Sequence, residues 1–266
     1  MLDELISKYK LTSLRDEIMV AAAPCLEGIA VTDSVSLGDS KVGGYPHAPK
    51  DFGWPFFKEL PLNFIAQINC NGLESEVLPN DGLLLFFYDS RHYSGSIKSK
   101  GFIRVIYFKD KSLLTPIKPP IIKKKVLFGL LGHSSLPQIY KEVKILYKPS
   151  ISIPDIESLP EKLQSTLDEN EDLSEAYWEI KAELTDKRFI QVGGYPNPVQ
   201  YDGIAEAISK LMKRGTADQW KMVFEIYNDK LSDVMWGDDG RLHFFTHIDD
   251  IMSCNYENSW MEFQCG

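Results

Sequence analysis

Two GGYP segments, at 43–46 and 193–196, are the first residues in this sequence that could bind a ligand. Glycines free the backbone and proline fixes its own φ, so each segment would present Tyr45 or Tyr195 on a rigid loop. Such a loop could hold a ligand through its backbone N–H groups, or it could be a tight turn whose tyrosine packs. Because the segment occurs twice, we favour the structural turn.

A polar residue inside each of two apolar segments is the second candidate. Gln67 lies within FIAQI and Glu225 lies within MVFEI. Such a residue either faces solvent or belongs to a buried hydrogen-bonded network. A glutamate in a cleft could also act as a general base. We favour a solvated face or a satisfied hydrogen bond for both residues.

Two histidines four residues apart, His243 and His247, are the third candidate. On a helix they could share one metal ion. The Asp-Gly turn before them and the two phenylalanines between them instead predict a strand. On a strand their Cα atoms would lie ~13 Å apart, which is too far for one zinc ion. We therefore predict no metal site.

Tryptophans beside glycine and proline are the fourth candidate. Trp54 lies in DFGWPFF, and Trp236 lies in VMWGDDG, just before Asp238. Aromatic loop residues often anchor partners, but they could equally plug the ends of a sheet core. The predicted binding residues are Tyr45, Trp54, Gln67, Tyr195, Glu225, Trp236 and Asp238. A matched nucleophile, base and orienting group is missing from the sequence, so we predict no catalytic residue and no cofactor.

The segments that position these residues recur in two copies. KVGGYP at 41–46 corresponds to QVGGYP at 191–196, an offset of 150. Three further pairs of segments share an offset of 158. They are LNFIAQINCNG (62–72) with WKMVFEIYNDK (220–230), NDGLLLFFYD (80–89) with DDGRLHFFTH (238–247), and FIRVIYF (102–108) with WMEFQC (260–265). Chance matches of apolar runs would not keep a common offset, so we predict a duplicated unit.

Each copy has the pattern of an antiparallel meander. Apolar runs predict strands, and the turn dipeptides Asp81-Gly82 and Asp239-Gly240 precede the second strand of each copy. We predict a mainly β (β-rich α+β) fold, in which duplicated antiparallel β units form one roll-like globule with an N-terminal helix and connecting helices. Its predicted parts are a first repeat (26–108), a basic and then acidic connecting region (109–186) and a second repeat (187–266), all within one compact domain (1–266).

Helical spacing and charge describe the remaining segments. Apolar residues recur at helical spacing from Leu2 to about Ala22, in the segment 155–186 and from Ile204 to Met212. We predict one or two exposed helices for 155–186. Charge is basic over 98–148 and acidic over 155–186. These blocks could pair with each other or bind an anionic partner, but solvated faces are the simplest interpretation.

Composition excludes several classes of function. The formal net charge of −9 argues against a nucleic-acid partner. The sequence contains no run of ~20 apolar residues, so we predict no membrane partner. The first residues, MLDELISKYK, do not resemble a signal peptide. Four scattered cysteines without a CxxC pair indicate reduced thiols and a cytoplasmic location.

Several segments together resemble the signature blocks of the YwqG-like family of uncharacterised bacterial proteins. They are GGYPHAP, FGWPFF, LNFIAQIN, LPNDGLLLFFYD, GGYPNPVQYD and VMWGDDGRLHFF, and they span nearly the whole chain. The family carries no established activity, cofactor or catalytic residue. The resemblance implies a β-rich, roll-like fold in a bacterial cytoplasm. Members are expected near secreted-toxin loci in some genomes, which implies a toxin-neutralising role.

These observations leave two functions to compare. The first is a non-enzymatic binding module for another protein, which would use the face between the two copies, and whose acidic balance suits a basic partner. The alternative is a hydrolase-type enzyme that uses Glu225, Asp238, Asp239 or His243. A deep polar pocket with carboxylates of shifted pKa would favour the enzyme, and a flat aromatic patch around Trp54 or Trp236 would favour the binder.

Overall fold

The structure is a computed structural model of the 266-residue chain. It describes residues 1–91, 101–123, 134–135, 137–185, 188–201 and 203–266.

The described residues are mainly β, and short apolar runs form most of the strands. In chain order the strands are β1 (Ala23–Val31), β2 (Lys41–Val42), β3 (His47–Pro49), β4 (Phe56–Phe57), β5 (Leu60–Pro61), β6 (Asn63–Asn69), β7 (Leu83–Tyr88), β8 (Ile103–Phe108), β9 (Leu114–Pro116), β10 (Ile122–Lys123), β11 (Ser134–Ser135), β12 (Val143–Ser152), β13 (Ile190–Val192), β14 (Trp220–Tyr227), β15 (Arg241–His247) and β16 (Trp260–Gln264).

One ten-stranded antiparallel sheet contains most of these strands, in the order β16-β15-β14-β13-β1-β12-β2-β6-β7-β8. The long strands β1 and β12 pair at its centre, from Ala23 opposite Ser152 to Val31 opposite Lys144. Four strands follow on either side of this central pair. The pairs β3-β9, β4-β5 and β10-β11 form small additional sheets.

The two sides of the sheet are paired in matching register. Lys41 lies opposite Gln67 on one side, and Gln191 lies opposite Glu225 on the other. Both β6 and β14 carry an irregularity in their pairing with the next strand. The segments that correspond in sequence therefore occupy equivalent places in the sheet. Their common ancestry and the proposed domain boundaries stay predictions.

The third strands of the two sides match differently from the sequence alignment. Leu85 pairs with Ile106, and His243 pairs with Glu262. Glu262 therefore corresponds to Ile106, whereas the offset of 158 aligns it with Arg104. The register of a hairpin depends on its connecting loop, and a shift of two residues leaves the same side chains on the same face.

The sheet curls so that its two sides pack face to face. Phe86 stacks on Phe224 with ring centroids 4.4 Å apart. Near the two outermost strands, the rings of Phe102 and Trp260 lie 5.4 Å apart. Both sides contribute to one large hydrophobic core. The prediction of a mainly β fold with an N-terminal helix and connecting helices is confirmed.

A second hydrophobic core belongs to the helices. The helices are α1 (Leu2–Lys8), α2 (Arg15–Ala21), α3 (Glu161–Asp168), α4 (Glu171–Thr185), α5 (Ile204–Met212) and α6 (Ile248–Met252), with short 3-10 turns at Thr12–Leu14, Ile156–Ser158, Ala217–Gln219 and Tyr256–Asn258. The expected N-terminal helix is two helices, because Lys10 has a positive φ of 61° between them. α3 and α4 are not simply exposed, since Tyr177 and Ile180 on α4 are buried against α1 and α2.

The charged blocks do not pair with each other among the residues that the structure describes. Lys144 pairs with Asp39, and Lys148 pairs with Glu27. The acidic helix α4 instead contacts Lys8 through Glu183. The predicted block members Lys98, Lys100, Lys124, Lys125 and Asp186 lie outside the described residues. No helix in the described parts of the chain is long and apolar enough to cross a membrane.

Candidate functional site

The two GGYP loops are held in the same way. Gly43, Gly44, Gly193 and Gly194 all have positive φ, between 66° and 70°. In the first loop, Lys41 Nζ donates to the carbonyl oxygen of Tyr45 at 2.5 Å. In the second loop, Gln191 Nε2 donates to the carbonyl oxygen of Tyr195 at 2.7 Å. The side chains of both tyrosines are half-buried.

The matched polar residues Gln67 and Glu225 anchor the same loops. His47 N–H donates to Gln67 Oε1 at 2.9 Å, and Asn197 N–H donates to Glu225 Oε2 at 3.0 Å. Both side chains are buried. Of the alternatives left by the sequence, the structure therefore shows a buried network rather than a solvated face.

Lys41 adds a buried charge to the first loop. Its Nζ lies 2.5 Å from Glu142 Oε2 and 3.3 Å from His47 Nε2. Burial lowers the pKa of Lys41, although the Glu142 carboxylate opposes this shift. Burial and the Lys41 charge lower the pKa of His47 to about 4. These groups hold the loop together in the first half.

Apart from the loop anchors Gln67 and Glu225, the second half of the sheet differs from the first. Glu225 lies opposite His243, and His243 lies opposite Glu262, so the three side chains form a row across β14, β15 and β16. At most 5% of each of these residues is exposed. In the first half, Gln67 is followed across the strands by apolar Leu85 and Ile106. At these positions the described residues are therefore polar in all three strands of the second half and apolar in the last two strands of the first half.

A second row of polar side chains lies on the same face of the sheet. Tyr227, Arg241 and Gln264 are two residues away from the first row on their strands and lie opposite one another. The guanidinium of Arg241 lies 4.6 Å from the centre of the Tyr227 ring. We call the two rows the polar face, which consists of Glu225, Tyr227, Arg241, His243, Glu262 and Gln264.

Residues 195–201, here called the covering segment, lie over the polar face. Gln264 Oε1 accepts hydrogen bonds from the backbone N–H groups of Val199 and Gln200 at 2.7 and 3.0 Å. Arg241 donates to the carbonyl oxygen of Asn197. Tyr201 donates its hydroxyl to Glu262 Oε1 at 2.8 Å. Side chains of the sheet thus bind the backbone of this segment.

Burial and neighbouring charges shift the pKa values of this face. Burial disfavours the charged form of Glu225, but His243, the Tyr227 hydroxyl and the N–H of Asn197 together hold the Glu225 pKa below its usual value. Burial raises the pKa of Glu262, and the hydrogen bond from Tyr201 opposes it. Burial and then the charge of Glu225 raise the Tyr227 pKa well above its usual value. Several groups of shifted pKa therefore lie together, which is typical of functional sites.

Unpartnered polar atoms mark where a ligand would bind. Seven buried side-chain nitrogen or oxygen atoms among the described residues have no hydrogen-bond partner, and four of them belong to the polar face. These four are Glu225 Oε1, Tyr227 Oη, Arg241 Nε and His243 Nε2. Leaving such atoms unpaired costs free energy, so a bound water or ligand is the expected occupant.

A buried ion pair lies within electrostatic range of this site. Lys181 on α4 donates to Asp155, and both side chains are almost fully buried. Burial lowers the pKa of Lys181, while Asp155 and then Glu225 oppose that shift. The helix α4 therefore contributes charge to the surroundings of the polar face.

The two tryptophans pack as parts of the core. Trp54 donates its Nε1–H to the carbonyl oxygen of Leu62 at 3.0 Å, and its ring meets Phe87 edge-on at 5.5 Å. Trp236 is 4% exposed, and its ring lies 5.2 Å from that of Tyr140. Both rings pack in or against the large hydrophobic core, and a role for either tryptophan in binding stays a prediction.

The remaining predicted residues lie apart from the polar face or take other roles. Asp238 is exposed, and its carbonyl oxygen accepts a hydrogen bond from Gly266. His247 lies on strand β15, as predicted, and its Nδ1 accepts from the N–H of Asp249 at the start of α6. The described residues contain no group of three or more His, Cys, Asp or Glu side chains with a geometry suited to a metal ion.

Sequence reasoning missed four members of the polar face. They are Tyr227, Arg241, Glu262 and Gln264. A signal existed, because polar residues alternate along RLHFF and MEFQ as they do around Glu225. Such alternation predicts a polar face of a strand. The partner across each strand depends on register, which the sequence alone does not show.

Comparison with known proteins adds a family match. Residues 40–265 match the family model DUF1963, which is described as a domain of unknown function. No curated protein matches the chain significantly.

Proposed function

This chain belongs to the DUF1963 family, a domain of unknown function, and we propose from its geometry that it is a non-enzymatic binding module. Its ligand lies between the polar face and the covering segment. One observation carries this proposal. Glu225 and His243 form a fully buried pair, and Glu225 Oε1 and His243 Nε2 have no partner among the described residues.

Comparison of the two halves supports a role in binding for this pair. Burying polar or charged groups is costly, so such a pair contributes little net stability, and apolar residues of similar volume often do as well or better. The first half builds the same strands with Gln67, Leu85 and Ile106 at the equivalent positions. The fold therefore does not require charges at these places, which supports a functional role for them.

The finer parts of the proposal come from the sequence. We propose a YwqG-like protein of the bacterial cytoplasm whose ligand group belongs to another protein, and toxin neutralisation is the role that this resemblance implies. The net charge of −9 suits a basic partner. The four cysteines are unpaired, which supports a reducing compartment.

A hydrolase is the second candidate, and two observations favour it. The first is the shifted pKa of the Glu225 and Glu262 carboxylates, and the second is the orientation of His243. His243 Nδ1 lies 3.1 Å from Glu225 Oε2, which leaves Nε2 free. A carboxylate that orients a histidine in this way prepares the opposite nitrogen to act as a general base. Asp238 and Asp239, the other predicted residues, are exposed and outside the row.

The experiment compares the wild type with a variant that carries the residues of the first half: Glu225→Gln, His243→Leu and Glu262→Ile. Thermal unfolding is measured for both proteins with methylammonium, acetate and glycerol as probes. We expect the variant to be at least as stable as the wild type, and only the wild type to be stabilised by a probe. A variant that unfolds far more easily, with equal responses to every probe, would show that the row is structural.

The same pair of proteins separates the two candidate functions. Hydrolysis of 4-nitrophenyl acetate is followed at neutral pH for both. Equal rates with wild-type and variant protein are expected for a binding module. A rate that depends on Glu225 and His243 and saturates with substrate would instead support the hydrolase.

A further inference from the structure

The unpartnered atoms at the polar face indicate the chemistry of the ligand. We propose that the site binds a primary ammonium group, which donates hydrogen bonds to Glu225 Oε1 and His243 Nε2. This inference rests on the proposed binding function and adds the class of group that is bound.

The position of the proton on His243 follows from its neighbour. Glu225 Oε2 accepts from the N–H of Asn197 and lies 3.1 Å from His243 Nδ1. An ionised carboxylate can only accept, so Nδ1 carries the proton. In the neutral ring Nε2 is then an acceptor. The pair thus offers two buried acceptors, Glu225 Oε1 and His243 Nε2. Neither makes a well-aligned hydrogen bond with a described residue, and the Tyr227 hydroxyl lies beside Glu225.

Other ligand classes fit this geometry less well. A metal ion would need a third ligand, and the described residues provide no group of three with suitable geometry. An anion would lie close to the carboxyl groups of both Glu225 and Glu262, and the negative charge there would disfavour its binding. An ammonium group has three N–H donors, which suffice for the two acceptors and for the oxygen of the nearby Tyr227 hydroxyl. A water molecule could also donate twice, and it is therefore an outcome of the test.

The covering segment determines access to this site. Side chains of the polar face hold its backbone, including the hydrogen bond from Tyr201 to Glu262. Tyr201 itself is 40% exposed. Breaking these side-chain contacts would open the site without breaking the pairing of β14, β15 and β16.

The test uses the full chain labelled with ¹⁵N at histidine. The imidazole nitrogen signals of His243 are followed during titration with methylammonium chloride and with tetramethylammonium chloride at equal ionic strength. We expect a saturable shift with methylammonium and a response at least about tenfold weaker with tetramethylammonium, because a hydrogen bond to a charged group contributes about 1.5–3 kcal/mol. Acetyl-lysine amide is titrated in parallel, to distinguish a lysine side chain from a free small amine.

Two variants complete the design. The double variant Glu225→Gln, His243→Leu, followed by thermal unfolding, should show no stabilisation by methylammonium. Glu257→Gln alters an exposed carboxylate outside the polar face and should respond as the wild type does.

The outcomes separate this inference from the proposed function. Acetate is titrated in the same way, and if it shifts the His243 signals while methylammonium does not, the inference is wrong and the binding function stands. If no probe of either charge acts differently on wild type and double variant, the site holds a bound water only, and both proposals fail.

Discussion

Gln67 and Glu225 have equivalent structural roles on opposite sides of the sheet. Each accepts a hydrogen bond from the backbone N–H two residues after the tyrosine of a GGYP loop, at 2.9 Å from His47 and 3.0 Å from Asn197. The carboxamide of Gln67 suffices for this task. The charge of Glu225 therefore needs another explanation, which lies in its contact with His243.

The buried pair should behave differently when one or both members are replaced. His243→Leu alone leaves the Glu225 carboxylate buried without its histidine, and we expect a loss of about 3–5 kcal/mol in the free energy of unfolding. The double variant Glu225→Gln, His243→Leu reproduces the pair Gln67–Leu85 and should be as stable as the wild type or more so. Urea unfolding measures both. Equal losses in the two variants would refute this interpretation of the pair.

The GGYP loop should not tolerate a side chain at Gly43. A Cβ there would lie 2.3 Å from the carbonyl oxygen of Lys141, and φ is +68°. Gly72 has a similar φ of +74° but open space around it. We expect Gly72→Ala to cost about 1–2 kcal/mol from backbone strain and Gly43→Ala to cost clearly more. Urea unfolding of both variants checks this, and equal losses would show that the contact with Lys141 is unimportant.

Two ion pairs of the helix α4 should differ in their contribution to stability. Lys181 and Asp155 are buried, whereas Lys8 and Glu183 are largely exposed. Lys181→Met removes the buried cation beside Asp155 and should cost about 3–5 kcal/mol. Lys8→Met should have little effect, because water screens that pair. Thermal unfolding of the two variants is the measurement, and a larger loss for Lys8→Met would contradict the assignment.

Because of His47, the free energy of unfolding should fall in weak acid. Its pKa in the folded chain is about 4, because of burial and the charge of Lys41. The unfolded chain binds a proton near pH 6.5, so between these values the unfolded state holds more protons. Stability contributed by neutral His47 is present above pH ~6.5 and is lost as pH falls towards 4, by about 3 kcal/mol in all.

A variant isolates this effect from the titration of carboxylates. His47→Asn keeps an acceptor near the N–H of Gly38, which donates to His47 Nδ1. Free energies of unfolding are measured for both proteins from pH 4.5 to 7. The difference between wild type and variant should become smaller as pH falls. Parallel curves would mean that His47 has an ordinary pKa in the folded chain.

The sequence predicts the strands and loops well because their signals are local. The apolar runs, the Asp-Gly turns and the GGYP glycines each specify a nearby conformation, as the positive φ of Gly43 and Gly193 shows. The matched polar positions Gln67 and Glu225 are visible in the same way. These features need no knowledge of distant partners.

The candidate site depends on contacts that are remote in sequence. Glu225 meets His243 and Asn197 only after β14 and β15 pair and the covering segment closes over them. Likewise, the burial of Trp236 depends on its contact with Tyr140. Loop composition alone does not determine whether a tryptophan lies at the surface or in the core, so the sequence left both alternatives open.

The position of β1 affects the order in which the chain can fold. This strand precedes residue 40, where the family match begins, but it lies at the centre of the sheet between β12 and β13. Its two partners end at Ser152 and Val192, so a growing chain must keep β1 unpaired until most of it has been synthesised. A polypeptide that starts at residue 40 would keep the matched region but leave β12 and β13 as two open edges, each able to pair with another molecule.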